Sequence, residues 1–187
     1  MIENFKQVKV EGLAKMVFPD DRYILLLSEI YGTRKLPVML NEEQANLARL
    51  IISGNDSAFE FSMHRVLLNF AWKRDARFSR AEVFRVKDGE FMTRVWMKSS
   101  DREDYLHMHI TNAIALAIIE RAPIYVLDAI LDSEHMHDLG NGQYSLPATS
   151  VSDAMLEEAL QDAIKKEKYE LASQLRDEIR KRKEKKK

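Results

Sequence analysis

The chain has no cysteine among its 187 residues, which excludes disulfide stapling and thiolate-held zinc or redox chemistry. Only six glycines and four prolines are present, so a collagen-like or low-complexity chain is excluded as well. No apolar run is long enough to cross a bilayer, because Glu120 and Arg121 interrupt the longest one. The opening MIENFKQVKVEG lacks an apolar stretch of signal-peptide length, and a cytoplasmic protein without a membrane partner is expected. Net charge is also scarce, at −1. That near-balance hides an asymmetry. Arg176–Lys187 holds eight cations against three acids, which leaves −6 on the first 175 residues. An acidic body argues against broad wrapping of nucleic acid and leaves room only for a local basic patch.

What is present reads as one folded domain with an appendage. QVKVEGLAKMV and RYILLLSEI are rich in strand formers and are separated by the turn signal FPDD. RKLPVML is a third strand, with Pro37 pointing to an edge. Asn41 caps a helix, NEEQANLARLIIS, where Gln44 completes a capping box and Gly54 marks the stop. A second helix, SMHRVLLNFAWK, follows. The order then recurs: RAEVFRV, the turn KDG and EFMTRVWMK form a hairpin, YLHMHI is a third strand, and Thr111 caps NAIALAIIER before the strand PIYVL. LPVMLN and LHMHIT occupy matching places, a weak signal of a duplicated β-β-β-α unit at low identity. The expected fold class is α+β: a largely antiparallel sheet with helices on one face, plus a C-terminal helical hairpin.

That division gives a first domain over residues 1–131, a polar linker over 132–152, and a hairpin with a basic tail over 153–187. In the hairpin, Leu156, Leu160, Ala163 and Ile164 form one stripe and Tyr169, Ala172, Leu175 and Ile179 the next. Two short helices bury too little apolar surface to stand alone. Leu160, Tyr169, Leu175 and Ile179 are therefore the expected contacts to a protein partner or a second copy.

Alternation in YLHMHI puts Leu106, Met108 and Ile110 on one face, under the helices, and Tyr105, His107 and His109 on the other. In EFMTRVWMK the same rule turns Phe91, Thr93, Val95 and Met97 inward and Met92, Arg94, Trp96 and Lys98 outward. Three roles compete for that outer face. His107 and His109 could join His135 and His137 around a transition metal, although no third ligand can be assigned. Arg94, Trp96, Lys98 and Tyr105 could hold phosphates and stack bases. Or the face could be covered, by the hairpin or by a second copy in a homodimer; this reading ranks first.

Three stretches, KLPVMLNEEQANLARLIISG, SMHRVLLNF and TNAIALAIIERAPIYV, resemble the bifunctional nuclease domain, a family reported to degrade DNA and RNA. The end of the chain resembles the UVR motif of UvrB and UvrC, most specifically at Tyr169-Glu170-x-Ala172-x-x-Leu175-Arg176-Asp177. The resemblance implies phosphodiester hydrolysis around His64, His107, His109, Thr111 and Asn112, with DNA or RNA as substrate and a UVR-bearing protein as partner. The chain departs from the family pattern at Arg65, His107 and Asn112, which stand where the family usually has Asp. Carboxylates are what hold hard cations for metal-assisted cleavage. Two functions stay open: a hydrolase of altered chemistry, whose cofactor the sequence does not name, and a non-catalytic interaction module that kept the fold.

Overall fold

The computed structural model describes residues 4–16, 22–87, 89–140, 143–145 and 153–185. The turn expected at FPDD falls on 18–21, outside the described residues, as do 141–142 and 146–152 of the expected linker. Strands β1 (Phe5–Lys15), β2 (Tyr23–Glu29) and β3 (Lys35–Leu40) lead into helices α1 (Glu42–Ser53) and α2 (Met63–Trp72), joined by a short 3₁₀ turn at Asp56–Phe59. Then come β4 (Arg77–Lys87), β5 (Glu90–Lys98), β6 (Glu103–His109), α3 (Ile110–Ile119), β7 (Ile124–Leu127) and α4 (Asp128–Glu134). Within the stretch read as linker, α4 runs to Glu134, and β8 (His137–Gly140) pairs antiparallel with β9 (Gln143–Ser145).

The main sheet has seven strands in the order β3-β2-β1-β7-β4-β5-β6. Two antiparallel meanders, each with its first strand innermost, flank β7, which pairs antiparallel with β1 and parallel with β4. The α+β architecture expected from the sequence is the observed one. Pro37 lies on β3, an edge strand, where its missing N–H need not break an internal ladder.

Helix α3 carries apolar side chains nearly all round, and such a helix must be covered on every side. It is: Ile114 and Leu116 are each 1% exposed, and α3 contacts α1 and α2 as well as β4, β5 and β6. Its first turn is thereby pinned beside the first turns of α1 and α2. At α1 the local chemistry is as read from sequence. The Asn41 side chain accepts from the Gln44 N–H, Gln44 Oε1 accepts from the Asn41 N–H, and Gly54 ends the helix at φ 63°.

The α5 (Asp153–Lys165) and α6 (Tyr169–Lys185) helices form the hairpin. Its inner stripe is Leu156, Ala159 and Ala163 against Ala172 and Ile179, all buried. Leu160 and Leu175 are half-buried, while Tyr169 and Ile164 stay exposed. Ile179, expected to face a partner, instead closes the hairpin on itself, because the small Ala159, Ala163 and Ala172 leave room for it. A Lys183–Glu157 ion pair at 3.1 Å links the two helices, and Arg22 at the start of β2 pairs with Glu158 on α5.

Candidate active site

The two histidines of β6 part company. His107 stays on the outer face, stacked on Phe84 of β4 with ring centroids 5.5 Å apart and planes inclined at 22°. His109 ends the strand and becomes the N-cap of α3, so its ring turns to the helix side. The expectation that both share one face is corrected by the chain's change from strand to helix between them. Thr111, expected as the cap, lies inside the first turn and is 2% exposed. Leu106, expected under the helices, is 53% exposed, because β6 is the outermost strand and its apolar side is left bare there.

Beside His109 lies a polar cluster drawn from the first turns of three helices. His109 Nδ1 is 2.9 Å from Thr111 Oγ1 and, less closely, 3.4 Å from the Thr111 backbone N–H. Its Nε2 is 3.1 Å from the Gln44 side-chain nitrogen. The capping box commits Gln44 Oε1 to Asn41, so the Gln44 amide nitrogen is a donor, and His109 Nε2 must accept. That arrangement leaves the remaining proton to Nδ1, which donates to Thr111 Oγ1 at 2.9 Å. The longer 3.4 Å contact with the Thr111 N–H, which needs Nδ1 as acceptor, is then not made. A second proton on Nε2 would face a donor. Desolvation of the ring pushes its pKa below the ordinary histidine value, opposed by the Glu90 carboxylate. Although the residue as a whole remains exposed, its imidazole is therefore held neutral.

His64, in the first turn of α2, places Nε2 3.0 Å from Asn112 Oδ1 in the first turn of α3, and its ring meets Phe59 edge-on at 6.2 Å. Ser62 caps α2 by accepting from the Arg65 N–H. Of the five residues expected at the site, His64, His109, Thr111 and Asn112 are brought together, and His107 is not. Gln44 is the member that sequence reading missed as a site residue. Its capping role was legible; its contact with a residue 65 positions away carries no local signal. Among the described residues no carboxylate is hydrogen-bonded within this cluster, and Glu90 acts on His109 only through space. Among the described residues no three His, Cys, Asp or Glu side chains are grouped to hold a metal. His135 and His137 do meet, with ring centroids 4.6 Å apart, but beside Lys35 of β3. That edge lies about 29 Å from β6 at ~4.8 Å per strand, so the four-histidine site is not formed.

On the outer face, Arg94, Trp96, Lys98 and Tyr105 do lie on neighbouring strands, with Trp96 and Tyr105 centroids 5.0 Å apart. The chain's own guanidinium groups already occupy these rings. Arg80 lies 4.3 Å from the Trp96 centroid, and Arg94 lies 4.2 Å from Phe84 and 5.5 Å from Tyr105. Arg80 is in turn held by Glu82 at 2.7 Å and Glu103 at 2.6 Å. The outer face is a self-stacked layer of cations and aromatics.

Comparison with known proteins agrees with this organisation. Residues 155–185 match the UvrB/UvrC motif. No curated protein matches the chain. Residues 25–138, which carry β2 through α4 and every residue of the cluster, match the bifunctional nuclease domain, and the chain belongs to that family.

Proposed function

We propose that the cluster binds a backbone phosphate of RNA and cleaves it slowly without a metal, while the UVR hairpin supplies a separate contact to a protein. The observation that carries this reading is that Thr111 and Asn112, neighbours in the first turn of α3, each bond one imidazole, His109 and His64. The positive ends of the α2 and α3 dipoles attract an anion there. Once a substrate displaces the Gln44 donor, Nε2 of neutral His109 can take the proton from a 2′-hydroxyl. The 2′-oxygen then attacks phosphorus, the bond to the 5′-oxygen breaks, and His64 in its imidazolium form returns a proton to the leaving oxygen. The products are a 2′,3′-cyclic phosphate and a 5′-hydroxyl. DNA lacks the attacking hydroxyl and should survive.

The family's usual acids would have supported magnesium, which activates water and steadies the leaving oxygen. Arg65 and Asn112 replace two of them in this region, and His107 replaces the third on the other face of the sheet. The second reading, a non-catalytic module, is favoured by one observation: His64 and His109 already have partners, and His109 serves as a helix cap. Analysis of product ends from a single-stranded RNA decides between them. Cyclic phosphate ends that disappear when the scissile ribose is 2′-deoxy support the catalytic reading, and intact RNA after long incubation supports the module.

A further inference from the structure

The solvent-facing half of α2 is unusually apolar and unusually basic at once. At 3.6 residues per turn, Arg65, Lys73, Val66, Phe70 and Met63 fan across that half, away from the buried Leu68 and Ala71, and Trp72 flanks it on the Leu68 side. Phe61, just before the helix, is 93% exposed, Phe70 59% and Trp72 55%. At ~200 Å² per aromatic side chain these three alone expose about 400 Å². With Met63 and Val66 added, the surface reaches the size of patches that mark binding sites. Arg74 lies 5.1 Å from the Phe70 centroid and Arg77 5.4 Å from that of Trp72. Among the described residues, Arg65, Lys73, Arg74 and Arg77 make no ion pair, in a body that is acidic overall.

We infer that this face of α2 is the track for a single-stranded nucleic acid, with bases stacking on Phe61, Phe70 and Trp72 and phosphates meeting Arg65, Lys73 and Arg74. The inference rests on the proposed function above and specifies where its substrate lies. Charge complementarity favours this occupant. On the rival aromatic face, Arg80 over Trp96 is neutralised by Glu82 and Glu103. By contrast, among the described residues Arg74 and Arg77 beside Phe70 and Trp72 have no carboxylate partner. A second copy is disfavoured: two α2 faces packed together would set cation against cation across the contact. A single strand brings both the π-faces and the negative charge that this surface lacks.

The test is anisotropy of a fluorescent 12-nucleotide oligouridine with the full-length chain over a salt series. Phe70→Ala/Trp72→Ala should weaken binding tenfold or more. Lys73→Gln/Arg74→Gln should lower the slope of log affinity against log salt by about 1.4, for two phosphate contacts at ~0.7 each. Tyr31→Ala, on an exposed turn elsewhere, is the control. On a His64→Ala/His109→Ala background, where the catalytic reading allows no cleavage, Phe70→Ala/Trp72→Ala should weaken binding tenfold again, which separates this inference from the catalytic reading. Unchanged affinity in both α2 variants overturns the inference, and loss in Trp96→Ala instead moves the strand to the sheet face. Absence of binding at low salt, or sedimentation showing that Phe70→Glu dissolves a dimer, overturns it in favour of a protein-docking surface.

Discussion

His107 and His109, two residues apart at the end of one strand, serve opposite sides of the sheet. His107 stacks on Phe84, and His109 caps α3 and meets Gln44 of α1. Only one of them can therefore act beside His64 and Asn112. His107→Ala should weaken the outer-face stack by about 1 kcal/mol while leaving any cleavage unchanged. Thermal melting and an RNA assay on the same preparation check both halves.

Burial of the ring pushes the His109 pKa below the ordinary value, and replacing the Gln44 donor that faces Nε2 should change the titration. In Gln44→Glu a carboxylate faces Nε2, so the pKa of His109 should rise, read from imidazole proton shifts. In the native protein the sign for stability is opposite to that of a salt-bridged histidine. The folded pKa is depressed, so the unfolded chain binds the proton first as pH falls. This contribution is full above about pH 6.5 and is lost as pH falls from there through the lower folded value.

Arg34 ties the β2–β3 turn to α4. It reaches Glu29 at 2.9 and 3.0 Å and Asp128 at 2.8 Å, and also contacts Asp132. Its hydrogen bonds hold the Glu29 carboxyl below the usual carboxylate range, against the opposing effect of burial. Arg34→Gln should cost about 2 kcal/mol at neutral pH, since Glu29 then keeps a largely buried charge with no cation. Glu29's share of stability is present above about pH 4.3 and is lost as pH falls through its lower folded value. The acid limb of the stability curve should accordingly be shallower in the variant.

Asp75 and Glu167 adopt φ values of 57° and 55°, in the left-handed region that side chains with a Cβ enter at a cost. Asp75→Gly and Glu167→Gly should each stabilise by roughly 0.5–1 kcal/mol, less the entropy that glycine adds to the unfolded chain. Denaturant melts of the body and of the hairpin signal report them separately.

The hairpin offers a sharper contrast. Ala163 is fully buried between α5 and α6, and Tyr169 is 69% exposed. Ala163→Asp should melt the hairpin and lower helical circular dichroism, and Tyr169→Asp should leave helicity intact. A UVR-bearing partner that tolerates Tyr169→Asp and Leu175→Asp alike would place its contact elsewhere.

Much of this fold was legible because its signals are local. Asn41, Gln44 and Gly54 announce α1 within fourteen residues, and the recurring strand order foreshadows the two meanders. The inward set of β5 holds because alternation is enforced by a buried sheet: Phe91, Thr93 and Val95 are buried. Alternation failed on β6 for two physical reasons. An edge strand has no helix over its end to bury Leu106, and the strand-to-helix junction swings His109 away from the pleat. The cluster was half legible. The family resemblance marked His64, His109, Thr111 and Asn112, but the meeting of Gln44 with His109 depends on how α1 packs against α3. The exposed face of α2 is not legible in the sequence, because apolar Met63, Val66 and Phe70 carry no local sign of exposure.

The central claim is phosphodiester chemistry without a metal at His64 and His109. Its most direct test is cleavage of matched single-stranded RNA and DNA by the purified chain, with magnesium or with EDTA, beside His64→Ala/His109→Ala. The account predicts slow RNA cleavage that EDTA does not abolish, that the double variant lacks, and that leaves the DNA whole. Robust DNA cleavage that EDTA stops and the double variant loses would contradict it, and would make these histidines metal ligands.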